Sequence, residues 1–152
     1  MRIAFASRTC TPYFSDQPVW SWIAARQPDH LVLLGDSTYL DVAKGGGHPE
    51  QMGEDEFAQH LFRLYRELRS QPQFAALVRQ LLAGPVRTVW DDHDFLWNDA
   101  NGAEANPVHR GKVRLSTAFH EAFRRALAVG LTAGSFPVSC SDAVFGTRSS
   151  RH

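Results

Sequence analysis

Apolar positions along the chain alternate between short runs that suit strands and stripes that suit helices. Residues 3–6 read as a short strand, and the runs 31–34 and 86–90 read as buried strands. Pro18 is a good first-turn residue for a helix over 19–26, which Gln27-Pro28-Asp29 ends. From Glu54 the period becomes helical. Phe57, Leu61, Leu64, Tyr65 and Leu68 share one face, and Glu54, Asp55 and Glu56 favour the first turn through the helix dipole. Pro72 separates a second helix, with Phe74, Leu77, Val78, Leu81 and Leu82 inward until Gly84-Pro85 stops it. A third long helix is expected over 112–129, burying Leu115, Phe119, Ala122, Phe123, Ala126 and Leu127 and leaving His120, Arg124 and Arg125 in solvent. After Gly130 the periodicity ceases. Residues 1–130 are therefore expected to hold the fold, and 131–152 to form an irregular or disordered tail.

The succession of strand, helix and strand points to an α/β domain, a mixed sheet with helices packed on it. Two acidic clusters fall where strands should stop: LVLLGDSTYLD, from Leu31 to Asp41, and TVWDDHDFLWND, from Thr88 to Asp99. Ionised Asp36 directly beyond an apolar run is unfavourable unless a cation or hydrogen-bond donors compensate. The second cluster is more severe, because Asp91, Asp92 and Asp94 surround His93. A divalent or trivalent ion relieves such repulsion, and oxygen and imidazole donors from two loops at one sheet edge are suited to hold it. Plainer roles remain open at the same positions. Asp36 suits a turn or helix cap, Tyr39 a half-buried core aromatic, and Cys10 a small buried residue. Asp91, Asp94, Asn98 and Asp99 read as supporting or turn residues, and Trp90 and Trp97 as packing walls.

Composition narrows the classes without choosing one. At 152 residues and 43% hydrophobic, the chain can bury one core but not two. Sixteen basic and sixteen acidic residues cancel, which argues against nucleic acid or an anionic membrane surface as the main partner. Cys10 and Cys140 are too few and too far apart for a disulfide framework or a CxxC zinc site. Gly45-Gly46-Gly47 is not followed by the Lys-Ser or Lys-Thr of a P-loop. No stretch has the length of a membrane span or the layout of a signal peptide, so a cytoplasmic location is the default expectation, replaced by a secreted or periplasmic one if a leader has been removed.

Three stretches resemble a known family. IAFASRTC, LVLLGDSTYLD and VWDDHDFLWND are similar to the first strand and cysteine-bearing loop, the GDxxY motif and the WDDHD/E motif of PhoD-like alkaline phosphatases, within the calcineurin-like metallophosphoesterases. The likeness covers about residues 2 to 127. It implies the first half of a layered metallophosphoesterase sandwich and hydrolysis of phosphomonoesters or phosphodiesters by metal-activated water. It also implies two metal ions, Fe3+ with Ca2+ or another divalent ion such as Zn2+ or Mn2+. By the same resemblance Asp36 bridges the two metals, Tyr39 and Cys10 bind the iron, Asp92 binds the second metal, and His93 acts beside the phosphate as acid or hydrogen-bond donor. The family's cysteine stands directly after Phe-Ala-Ser, where this chain has Arg8, and Cys10 lies two residues further on.

The family also takes histidine ligands from GDxH and GHxH motifs, and neither occurs in this sequence. The chain is therefore expected to be a truncated member, weak or inactive as a phosphatase and prone to self-association through an incomplete core. Two other classes compete. Ser37 in a GDS triplet suits a GDSL-type serine esterase, although here the triplet ends the second strand and no DxxH motif follows. A remnant that binds metal or phosphate without turnover is the other. Chelator sensitivity separates the esterase from the metal readings.

Overall fold

The computed structural model describes residues 1–10, 13–42, 47–81, 86–131 and 136. Three strands, β1 (Ile3–Ala6), β2 (His30–Leu34) and β3 (Val86–Val89), form a sheet in that order. Both pairings are parallel, with Phe5 opposite Val32 and Leu33 opposite Thr88. The mixed sheet expected from the sequence is thus an all-parallel one among the described residues. Parallel neighbours require long crossovers, and helices supply them here. Helix α1 (Val19–Ala25) joins β1 to β2, while α2 (Glu54–Ser70) and α3 (Pro72–Gln80) join β2 to β3. Two short helices, α4 (Asp92–Phe95) and α5 (Gly102–Val108), and the long α6 (Arg110–Ala128) follow.

The helical stripes read from the sequence are the buried faces. Phe57, Leu61, Leu64, Tyr65 and Leu68 of α2 meet Leu115, Phe119, Ala122, Phe123, Ala126 and Leu127 of α6 in one core cluster. Tyr65 lies between Phe119 and Phe123, with ring centroids 6.3 and 5.1 Å away, and Trp20 packs on Phe74 at 4.9 Å. Lys112 was not expected in this core. Its stem is buried and its ammonium donates to the carbonyls of Pro49 and Glu50, both at 2.7 Å, so the charge stays hydrogen-bonded. Arg124 and Arg125 are exposed as expected, whereas His120 is half-buried and stacks on Trp90 at 4.9 Å. Leu82, Gly84, Pro85 and most of the expected tail lie outside the described residues.

The two faces of the sheet differ. Leu31, Leu33 and Val86 point into the core, while Ile3, Phe5, Leu34 and Val89 on the other face are 44%, 60%, 48% and 53% exposed. No helix among the described residues is long and apolar enough to cross a membrane.

Candidate metal centre

Both acidic clusters leave the sheet at the carboxyl ends of adjacent parallel strands, the edge at which open α/β sheets gather their ligands. Gly35 makes the approach of the two loops feasible. Its φ is +90°, and a Cβ there would sit 2.7 Å from the Asp91 Cβ and 2.9 Å from the Asp91 nitrogen. The next residue, Asp36, also has a left-handed backbone (φ 53°), as do Arg8 (57°) and Cys10 (23°) on the loop after β1. Asp tolerates that conformation, whereas Arg and Cys adopt it at a cost, so backbone strain is present beside this edge.

The juxtaposition brings three side chains to one point. One ligand atom from each of Asp36, Asp92 and His93 lies within 4.8 Å of the others. Asp36 is buried, one of its carboxylate oxygens, Oδ1, has no hydrogen-bond partner among the described residues, and Oδ2 accepts from the Tyr39 hydroxyl at 3.2 Å. Two unit charges about 5 Å apart repel by roughly 3 kcal/mol at an effective dielectric near 20, so the paired carboxylates favour a cation between them. Imidazole with carboxylate oxygen suits a divalent ion of the manganese or zinc kind. Cys10 does not join this group. Burial, partly offset by the backbone hydrogen bond from Tyr13, holds its thiol pKa above the usual range, and the nearby charges of Asp36 and Asp41 add to the rise. Tyr39 sets its hydroxyl against Asp36. Burial, the charge of Asp36 and the hydrogen bond to it push its pKa up to about 12.

Each member is held from behind. His93 Nδ1 is 2.7 Å from Asp41 Oδ1, which leaves Nε2 for an ion or substrate, and Asp41 Oδ2 accepts from the Asn98 amide at 2.9 Å. Burial works to lower the His93 pKa, but the Asp41 hydrogen bond and the charges of Asp41, Asp92 and Asp36 outweigh it and raise the value. Asp92 Oδ2 accepts from the Asp99 amide at 2.5 Å, and its Oδ1 from the His93 amide at 3.0 Å. Asp94 straps the two loops together: its Oδ1 accepts from the Thr38 amide (2.5 Å) and hydroxyl (2.9 Å), and its Oδ2 from the Asp91 amide (3.2 Å). Burial, partly offset by those bonds, raises the Asp94 pKa to about 6. Asp91 caps α4, forming a capping box with Asp94.

Asp41, Thr38 and the particular work of Asp94 were not foreseen from the sequence. A carboxylate five residues beyond Asp36 was visible, but its pairing with His93 depends on the closeness of two loops. Ser37, the nucleophile of the esterase reading, is buried, and its hydroxyl has no hydrogen-bond partner among the described residues. Trp90 and Trp97 are packing residues, against Phe95 and His120 in the first case and His48 and His109 in the second. Comparison of the chain with protein-family models, with curated proteins and with solved structures found no match.

Proposed function

We propose that the chain carries a metal-dependent phosphohydrolase site of the PhoD-like kind, acting on a small phosphate ester. The single observation that supports this most is the convergence of Asp36, Asp92 and His93 within 4.8 Å at the carboxyl edge of a parallel sheet. The motifs GDSTY and WDDHD, whose resemblance to that family was noted above, contribute all three. In this reading Asp36 and Asp92 hold one divalent ion. When bound, such an ion lowers the pKa of water and withdraws charge from phosphoryl oxygens.

The chain's own residues do the rest. His93, its Nδ1 held by Asp41, presents Nε2 to the phosphate and donates a proton to the departing alkoxide oxygen, a role worth roughly 100-fold to 10,000-fold. The raised His93 pKa keeps the donor protonated at higher pH. Tyr39 buttresses Asp36 through its hydroxyl. The grouped residues fit one ion. Among the described residues Cys10 stands outside the group, and no step is assigned to a second ion. Assembly of two copies through the exposed sheet face is also part of the proposal.

The test is hydrolysis of a chromogenic phosphomonoester and diester by the purified chain, with and without chelator, beside elemental analysis. Chelator-sensitive turnover with bound metal supports the reading. Metal binding without any turnover favours the non-catalytic remnant, and turnover indifferent to chelator removes the metal from the account.

A further inference from the structure

Beside the acidic centre lies a pocket of about 440 Å3, formed by β1, the loop after it and the start of α1. Its walls are largely apolar: Phe5, Phe14, Val19, Trp20 and Ile23. Phe5 and Phe14 are 60% and 63% exposed, so the pocket has open aromatic faces. Its size falls within the range of roughly 300–1,000 Å3 typical of small-molecule sites. Arg8 belongs both to this pocket and to the acidic centre, since it lines the former and its Nε lies 3.6 Å from Asp36 Oδ2.

We propose that Arg8 and this pocket together recognise the substrate: the Arg8 guanidinium takes phosphoryl oxygens, and the pocket takes the alcohol part of an ester whose organic group is aromatic or otherwise bulky, apolar and uncharged. The inference rests on the phosphohydrolase reading and adds a substrate class to it. The guanidinium is charged at every relevant pH and offers a planar fork of donors matched to two oxygens of one phosphate. With the side chain 81% exposed, most of that fork is open to solvent while Nε faces Asp36.

The loop carrying Arg8 is pinned at the correct side of the centre. The Thr9 amide donates to the Asp36 carbonyl at 3.0 Å, and its hydroxyl to the Ser37 carbonyl at 2.9 Å. The Gln17 side chain donates to the Thr9 carbonyl and accepts from the Trp20 indole at 2.6 Å, which ties the same loop to the pocket floor. A phosphate held by Arg8 therefore has the ion site on one side and the aromatic walls on the other. Asp16, which also lines the pocket, repels a second anionic group on the alcohol, so polyphosphates and nucleotides are poor candidates.

Calorimetric titration of the Mn2+-loaded chain with methylphosphonate and with 1-naphthylphosphonate tests this without requiring turnover. Wild type is expected to bind the naphthyl compound about tenfold or more tightly than the methyl one, through the apolar area it covers. Phe14→Ser should remove most of that preference while leaving methylphosphonate affinity nearly unchanged, and Arg8→Gln should weaken both ligands. Both positions are exposed, so both variants are expected to fold. Equal affinity of wild type for the two compounds, or a preference that survives Phe14→Ser, overturns the pocket. Arg8→Gln without effect on either ligand overturns the anchor. If neither phosphonate binds although Mn2+ does, the phosphohydrolase reading falls together with this inference, whereas a lost naphthyl preference alone leaves that reading standing.

Discussion

His93 Nδ1 and Asp41 Oδ1 lie 2.7 Å apart and join two loops that are 52 residues apart in sequence. The bond fixes which imidazole nitrogen faces the centre and raises the His93 pKa. Asp41→Asn is expected to lower that pKa, followed by NMR titration of the imidazole, and to reduce turnover by roughly 10-fold to 100-fold. An unchanged titration midpoint would show that Asp41 does not act through His93. His93→Gln tests the donor role itself. A proton donor gives a large loss of turnover with Mn2+ affinity nearly intact, whereas a loss of affinity makes His93 a ligand.

Asp36 sets function against stability. One of its oxygens is buried without a partner among the described residues, and Asp92 stands close by. In metal-free protein Asp36→Asn is expected to raise stability by about 1 kcal/mol, because the backbone conformation suits Asn and a buried charge is removed. Urea unfolding in chelator measures this. A destabilised metal-free variant would mean that Asp36 serves the fold rather than a cation.

The strap between the loops should be structural. Asp94→Ala leaves the Thr38 amide and the Asp91 amide without their acceptor and is expected to cost roughly 1–3 kcal/mol in urea unfolding. Gly35→Ala should also destabilise, by a similar amount, since the added Cβ meets Asp91 on a left-handed backbone. Wild-type stability in either variant would show that the two loops are not held as described.

His60 provides a pH test. It is buried, its Nε2 lies 2.7 Å from the Leu40 carbonyl, and its pKa is lowered by burial. A folded pKa below the unfolded one means that the neutral ring is favoured on folding. Its contribution is therefore complete above the unfolded value, about 6.5, and is lost as pH falls through the folded value. His60→Gln should lose less stability than wild type between pH 7.5 and 5. Identical losses would remove His60 from the acid response.

The exposed sheet face should drive assembly. Leu34 and Val89 lie side by side on it, with Ile3 and Phe5 on the same face, apolar side chains of the kind that proteins cover. Light scattering is expected to show concentration-dependent association that Leu34→Lys weakens. A monomer at all concentrations would mean that this face is stable in water.

Periodicity made the helices legible because burial imposes it. The stripe from Phe57 to Leu68 and the one from Leu115 to Leu127 are the two surfaces that pack together. The four residues of α4 are too few to show a period, and its start is set by the Asp91 cap. His120 sits at the margin of the α6 stripe, where the neighbouring Trp90, not helical spacing, decides its burial. At the centre, Asp36, Asp92 and His93 were visible as residue types at strand ends. The partnerships Asp41 with His93 and Asp94 with Thr38 depend on three-dimensional closeness, for which Gly35 before Asp36 was the only local sign.

Calorimetric titration of Mn2+ into the metal-free chain, into Asp36→Asn and into Asp92→Asn tests the central claim most directly. The expected result is one ion bound by wild type and an affinity lowered by about 10-fold to 100-fold or more in each variant. Binding that both substitutions leave unchanged, or no binding by wild type, would contradict the metal centre.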